Sequence, residues 1–319
     1  MIRRLFPFSF LLISAPIFLH AQLHWKKVDS LFGPVPASFH VFRSIDSLDG
    51  APFVGFYVSV LLKDKSLSFS TQSTEGKAFT PDQYFGQEDS PLLVVNGPFF
   101  SFETKRNLSL IIRNGKIVSH NVQSLRGIEE DTLYFYYPTR SAIGIDRKRR
   151  ADVAWVFTDS TRRRPYAFET APVIAKGNDA VPSIYDLGVV TWRWWEMRTA
   201  VGGGPTLVHD GKIWITNKEE QMFTGEVHEK GPRTAMGYTN DNRLIILVIE
   251  GRNPGVAEGA DLEQEARILK SLGCVEALNL DGGGSSCMLI NGRETIRPAD
   301  ESKQRPLPAV FLIKREIKK

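Results

Sequence analysis

Three segments of this chain share one shape, and that shape restricts the fold more than any other feature. Ile111 to Val118 sets Asn114-Gly115 between apolar runs, Leu207 to Trp214 does the same with Asp210-Gly211, and Leu289 to Arg293 repeats it with Asn291-Gly292. Asn-Gly and Asp-Gly accept positive φ at both central turn positions, and only such turns match the twist of two paired strands. A chain that doubles back this way builds antiparallel sheet. The remaining apolar runs agree: Phe56 to Leu62, Leu67 to Ser70, Leu92 to Val95, Leu244 to Ile249 and Ala309 to Ile313 are short and rich in strand-forming residues.

Helices are few. Thr80-Pro81-Asp82-Gln83 combines a capping Thr with Pro at the first helical position and opens a short one. Asp261 with Gln264 three residues on is a capping box, Leu262, Ala266 and Leu269 share a face, and Gly273 stops the helix. Arg198-Thr199-Ala200-Val201-Gly202 echoes Arg233-Thr234-Ala235-Met236-Gly237, with a weaker copy at Ser141 to Ile145. The reading is an α+β fold: one hairpin-rich mixed domain with few helices and an internal partial duplication, over residues 37–316.

Ahead of it stand a leader at 1–21 and an irregular lead-in at 22–36. Arg3 and Arg4 followed by the apolar Leu5 to Phe18, with Ala21 before Gln22, read as a secretory signal. Pro7 and Pro16 interrupt that stretch, which is too short to span a bilayer. The expectation is a protein exported to the periplasm or the extracellular medium, without membrane insertion. Its formal charge of +4 falls to +2 without Arg3 and Arg4, so no electrostatic footprint for nucleic acid remains. The basic runs Arg147 to Arg150 and Arg162 to Arg164 read as solvated turns.

The chemistry gathers at Asn279-Leu280-Asp281-Gly282-Gly283-Gly284-Ser285-Ser286. A carboxylate at a strand end precedes three residues without side chains, which admits close approach of a ligand to the backbone. The amides there, with the Ser285 and Ser286 hydroxyls, can form an anion-binding nest. The loop is neither a P-loop, having no Lys after the glycines, nor a Gly-x-Ser-x-Gly elbow. Other strands also end in polar or glycine groups: Asn96-Gly97, Gly202-Gly203-Gly204-Pro205, Arg233-Thr234 and Glu250-Gly251-Arg252. If these ends converge, Glu250 and Asp281 form a carboxylate pair suited to glycoside chemistry, and Arg233 and Arg252 with the backbone nests suit a phosphate. Sugar and phosphate in one substrate follow.

Trp192, Trp194 and Trp195 offer either sugar stacking or core filling. The histidines show no metal-ligand spacing, and His209 reads as a surface residue before its turn. The two cysteines, Cys274 and Cys287, flank the glycine loop and either bridge the strand–loop–strand unit or remain buried thiols. Nothing here requires a cofactor, and a divalent metal stays open.

At these residues the chain resembles the phosphodiester glycosidase domain family. The resemblance covers roughly residues 50–315. It rests on Asn96-Gly97-Pro98-Phe99-Phe100, Gly202 to Pro205, Arg233 to Gly237, Glu250-Gly251-Arg252, Glu258-Gly259-Ala260, Asn279 to Ser286 and Arg305-Pro306, in that order. Pro98, where the family usually has Gly, and Cys287, commonly Thr, depart from the pattern. The resemblance implies hydrolysis of a sugar-1-phosphodiester, such as an N-acetylglucosamine-1-phosphodiester, to free sugar and a phosphomonoester. In that frame Arg233 holds the phosphate with amides of Gly282, Gly283, Gly284 and Ser285. Glu250 and Asp281 supply acid, base or nucleophilic help, and Asn96 and Asn279 orient sugar hydroxyls. Gly97, Gly203, Gly204, Thr234, Arg252 and Ser286 complete the substrate-binding set. Other phosphodiester-linked glycans, or binding without turnover, are the alternative uses of such a pocket.

Overall fold

The computed structural model describes residues 23–74, 76–127, 132–159, 161–177, 184–187, 191–223 and 225–316. The expected leader lies outside them. Among the described residues the chain is mostly β, with two α-helices, so the helical share is smaller than an α+β reading suggests. Strands are numbered in chain order.

An eight-stranded antiparallel sheet carries the order β1 (Trp25–Lys27), β2 (Phe39–Ser44), β3 (Gly55–Leu61), β19 (Arg243–Ile249), β18 (Arg233–Thr239), β20 (Cys274–Asn279), β16 (Thr206–His209), β17 (Lys212–Ile213). A seven-stranded sheet runs β14 (Arg193–Trp194), β12 (Tyr166–Phe168), β11 (Ala151–Phe157), β10 (Arg140–Asp146), β15 (Met197–Gly202), β6 (Ile111–Arg113), β7 (Lys116–Ser119). A five-stranded sheet runs β22 (Arg293–Glu294), β21 (Met288–Ile290), β5 (Leu93–Asn96), β23 (Ala309–Arg315), β4 (Leu67–Ser73). A small sheet joins β13 (Ala175–Gly177), β9 (Phe135–Tyr137) and β8 (Leu125–Arg126).

The three sheets meet in one apolar cluster. Val58, Met236, Ile246, Val248 and Leu278 come from the first sheet, Ile143, Val153 and Val201 from the second, and Leu93, Val95, Met288, Phe311 and Ile313 from the third. The other face of β19, with Ile245, Leu247 and Ile249, belongs to a second apolar cluster that Leu262, Ala266 and Leu269 join from helix α2 (Leu262–Ser271), which lies over β16 and β20. Burial on both faces is why Leu244 to Ile249 reads as an unbroken apolar run rather than an alternating one. Truncating a residue such as Ile246 to Ala at this junction costs about 2–5 kcal/mol.

The local signals fold as their chemistry requires. Asn114 and Gly115 have φ of 53° and 76°, Asp210 and Gly211 49° and 68°, and Asn291 and Gly292 48° and 76°. Both capping boxes form, Thr80 with Gln83 at helix α1 (Pro81–Gln87) and Asp261 with Gln264 at α2. Gly273, at φ 84°, lies just past α2.

Several expectations need correction. The lead-in is not irregular: β1 pairs with β2, and Val28 and Phe32 reach the central core, because their apolar side chains outweigh the nearby prolines. The run at Arg147 is not wholly solvated, since the Arg149 guanidinium donates to the carbonyls of Leu62 at 3.0 Å and Asp64 at 2.7 Å. Cys274 and Cys287 are free thiols, which corrects the bridged alternative. Cys274, on β20, packs with the α2 cluster and Cys287, just before β21, with the α1 cluster, so the two thiols lie in different cores. The echoing segments fall on β10, β15 and β18. The first two pair with each other, whereas the third lies in a different sheet.

Candidate active site

Five chain segments converge, and hydrogen bonds show how. The start of β18 and the end of β19 pair through Arg233 and Ile249, and Glu250 follows just past the end of that ladder. β20 lies on the other side of β18, with Asn279 opposite Ala235 and the Leu280 amide donating to the Thr234 carbonyl at 2.7 Å. Gly204 donates to the Asn279 carbonyl at 2.8 Å, and Asn279 Nδ2 returns to the Gly204 carbonyl at 2.9 Å. The last segment is β5 of a different sheet: Asn96 Nδ2 donates to the Asp281 carbonyl at 2.7 Å.

Asn96 is a fastener. It is fully buried, and its Oδ1 accepts from Thr234 Oγ1 at 2.8 Å and from the Cys287 amide at 3.2 Å. Gly97 sits directly behind it, where a Cβ would press on the Ala309 carbonyl oxygen at 2.8 Å. Gly203 donates to the Ser141 carbonyl at 3.0 Å and lies too close to Asn279 to carry a side chain. Asn96, Gly97, Gly203, Gly204 and Thr234 are thus brought together as the frame of the site, their polar atoms bonded to the chain. Asn279 keeps one open group, a buried Oδ1 without a partner.

The glycine loop is a tight turn. The Gly283 amide donates to the Pro232 carbonyl at 2.8 Å, Ser285 to Gly282 at 3.1 Å and Ser286 to Gly283 at 3.2 Å. Two of the amides expected to meet a phosphate are therefore already bonded within the chain, that of Gly283 to the Pro232 carbonyl and that of Ser285 inside the loop, where Gly283 to Ser285 winds into a 3-10 turn. Gly284 is required for a steric reason: a Cβ there would collide with Asp300 and Arg305. The Ser286 hydroxyl is buried without a partner.

Asp281 is the chemically tuned group. Burial pushes its carboxyl up to about 6, against the pull of the Ser285 hydroxyl, the Arg305 guanidinium and the Gly282 amide. Arg305 Nη1 donates to Ser285 Oγ at 3.2 Å, and its Nε donates to Asp300 at 2.7 Å. The chain Asp281–Ser285–Arg305–Asp300 orients the carboxyl and keeps a proton-bearing hydroxyl against it. The Arg305 guanidinium also lies over the Phe102 ring, 5.0 Å from its centroid.

Glu250 is placed differently. It is buried, accepting from Asn253 Nδ2 at 2.9 Å and from the Arg297 amide at 3.0 Å, with neither Arg233 nor Arg252 as an ion-pair partner. Arg233 donates through Nε to the Ala260 carbonyl at 3.0 Å and through Nη2 to the Glu229 carbonyl at 2.6 Å. Behind it stands Glu265, fully buried, with both carboxylate oxygens unpartnered. Burial pushes Glu265 up to about 8, with the Arg233 charge pulling down and Asp261 adding to the rise. Arg252 is the exposed cation of the set, held at φ 57° so that its guanidinium lies over Gly283.

Sequence reasoning named Arg305 in a motif without giving it a role, and missed Asp300 and Glu265 as members of this region. Glu265 has a signal: it lies three residues after Leu262 and one before Ala266, so a carboxylate stands on the apolar face of α2. Arg305 has one in Arg305-Pro306, just before the last strand. His209 is not the surface residue expected; it packs edgewise between Trp155 and Trp214, with Nδ1 3.4 Å from Glu276. With Asp210 and Glu276 it makes a group whose ligand atoms lie within 4.8 Å, on the β16–β17 hairpin rather than at the glycine loop. Trp195 fills core, whereas Trp192 and Trp194 stand half-exposed at an edge strand, remote from these contacts in the sheet order.

Comparison with known proteins agrees with this architecture. Residues 161–314 match the family model described as phosphodiester glycosidase. N-acetylglucosamine-1-phosphodiester α-N-acetylglucosaminidase from Mus musculus is 31% identical over 104 residues, covering 30% of this chain and 20% of the relative. The same enzyme from Bos taurus is 32% identical over 103 residues, with 30% and 19% covered. The matched segment therefore spans about a fifth of these curated relatives. In fold, the zebrafish catalytic domain of that enzyme, auto-inhibited by its pro-peptide, superposes with a TM-score of 0.60 at 20% identity, covering 93% of this chain and 89% of that one. A hypothetical protein from Synechocystis gives 0.60 at 14% identity, with 92% and 68% covered. These matches, on a chain whose strand ends converge as described, show residues 161–314 to be similar to the phosphodiester glycosidase family.

Proposed function

We propose that this protein is an exported hydrolase that cleaves a sugar-1-phosphodiester, releasing the sugar and leaving a phosphomonoester. Asp281 carries the reading. Its carboxyl, raised to about 6, changes protonation near neutral pH, where a general acid or base is most effective. The bond that breaks joins the anomeric carbon to a phosphate oxygen, and phosphate leaves without needing a proton. The demanding step is then the addition of water to the anomeric carbon. Asp281 takes the proton from that water, and Ser285 and Arg305 hold the carboxyl in the ionised form required. Arg252, over the glycine loop, holds the phosphate at the rim. Glu250 fixes the Arg252–Asn253 turn from below, and Arg233 anchors the floor through two carbonyls. The exported setting is supported by the sequence of residues 1–21.

The test is release of free sugar from an N-acetylglucosamine-1-phosphodiester by the protein and by its Asp281→Asn and Arg252→Gln variants, with chelator in parallel. Turnover lost in Asp281→Asn with binding kept supports the reading. Saturable binding without turnover in any form points instead to a carbohydrate- or phosphate-binding module. Turnover only of longer phosphodiester-linked glycans points to polysaccharide processing.

A further inference from the structure

Arg140 opens β10 as Arg233 opens β18, and the two begin the same pattern: Arg140-Ser141-Ala142-Ile143-Gly144 and Arg233-Thr234-Ala235-Met236-Gly237. Each is only 7% exposed. Each also stands within the field of a buried glutamate, Glu220 for Arg140 and Glu265 for Arg233. They differ in what their donors meet. The Arg233 guanidinium is held by two backbone carbonyls. The Arg140 guanidinium makes no hydrogen bond and no ion pair with any described residue, and its Nε is buried without a partner.

Glu220 does not answer it. Its Oε1 accepts from Trp155 Nε1, the Thr206 amide and Thr216 Oγ1, and its Oε2 from the Ser141 amide and hydroxyl, all within 2.6 to 3.1 Å. Those five donors satisfy the carboxylate. A guanidinium carries five N–H donors in a planar fork, and burying even one of them unpaired, as Nε is here, is costly. Such a group is kept where an oxyanion supplies the partners.

Its place in the fold names the ligand. Ala142 pairs with Gly202, and the Gly203 amide donates to the Ser141 carbonyl, so Arg140 is the residue of β10 just beyond its last bond to the glycine turn. Gly204 in turn bonds Asn279, two residues before Asp281. Asn121 closes this end of the sheet, donating to the carbonyls of Arg140 at 3.4 Å and Val156 at 2.9 Å. Ser109, whose hydroxyl is buried without a partner, packs against Gly202.

We propose that Arg140 forms a second anion subsite, beside the Gly202-Gly203-Gly204 turn, that takes a phosphate or carboxylate group of the substrate. The anion site stands on the geometry above, whereas naming the substrate as its source rests on the sugar-phosphodiester reading. The substrate is then a glycan phosphodiester that carries a further negative charge on the Asn279 side of the scissile bond.

The test titrates the full chain with inorganic phosphate and separately with glucuronate by calorimetry, in an Arg252→Gln background so that the rim arginine contributes nothing. Adding Arg140→Gln is expected to weaken anion binding about tenfold to a hundredfold. Arg140→Lys should recover part of it, as a point charge in place of a fork. Binding of phosphate alone identifies a phosphoryl ligand, and binding of both a general oxyanion site. Arginine Nε–Hε signals of the wild-type chain give a readout that does not depend on the Gln variant folding; the one missing in Arg140→Lys should move as phosphate saturates. No anion binding in the Arg252→Gln chain, equal affinity with and without Arg140→Gln, or an unmoved Arg140 signal would each overturn the proposal. Anion binding at Arg140 without turnover of any sugar phosphodiester would instead reject the hydrolase reading and leave the subsite in place.

Discussion

The most exposed piece of physical reasoning concerns Glu265, a carboxyl sealed under Arg233. In the unfolded chain it ionises near its ordinary value of 4.5, while in the fold burial raises it to about 8. A folded pKa above the unfolded one means that the fold prefers the protonated group. That preference contributes fully below about pH 4.5 and is lost as pH rises through about 8. Each pKa unit is worth ~1.4 kcal/mol, so the span amounts to roughly 5 kcal/mol, of which roughly 3 has developed by pH 7. Attraction to Arg233 is already included, since it is what limits the rise. Glu265→Gln removes the ionisation and keeps the shape. Urea denaturation of both proteins at pH 5, 6, 7 and 8 should therefore show the variant gaining on the wild type by roughly 1 kcal/mol per pH unit. Taking the difference cancels every other titrating group. A difference that stays flat from pH 5 to pH 8 would refute the reasoning and require Glu265 to be solvated or paired.

Four further outcomes follow. Asp281→Asn should lower turnover by about a hundredfold or more, and the wild-type rate should rise through pH 6 with an inflection the variant lacks; a wild-type rate falling through pH 6 would make Asp281 an acid instead. The same substitution should not destabilise the fold above pH 6, because the folded protein favours the neutral carboxyl, and thermal melts at pH 5 and 8 check it. Asn96→Ala, which strands three buried hydrogen-bonding groups, should cost about 3 kcal/mol by urea unfolding, and a loss below about 1 would deny it the fastening role. Cys274 and Cys287 should give the reduced intact mass and react with a thiol reagent only after unfolding, since burial holds both thiols well above their ordinary pKa.

What the sequence disclosed was local. Turn chemistry at Asn114-Gly115, Asp210-Gly211 and Asn291-Gly292, and the boxes at Thr80 and Asp261, depend on residues within a few positions of each other. Strand ends that carry polar groups were also legible, and the structure brings those groups together. Which atoms would be free was not legible, because it depends on partners far along the chain. Asn96 is spent on Thr234, Asp281 and Cys287, residues 138 to 191 positions away. Glu220 carries no motif of its own, yet five donors from four segments enclose it. Arg140 was passed over because its echo of Arg233 was read from Ser141 onward.

The bond from Asn96 to Asp281 has a consequence for motion. It ties the reactive loop, which leaves the eight-stranded sheet at β20 and enters the five-stranded one at β21, to β5 of that second sheet, beside the Cys287 flank that Asn96 also holds. The loop therefore cannot breathe alone. To expose the Asp281 backbone, the five-stranded sheet must part from the eight-stranded one, which means opening the central core. Amide exchange at Cys287, which donates to Asn96, should accordingly proceed with the free energy of global unfolding, while Asn253 and Val256 in the neighbouring turn exchange far faster. A hydrolase built this way takes its substrate onto a rigid floor, and whatever flexibility admission requires is left to the exposed turn that carries Arg252.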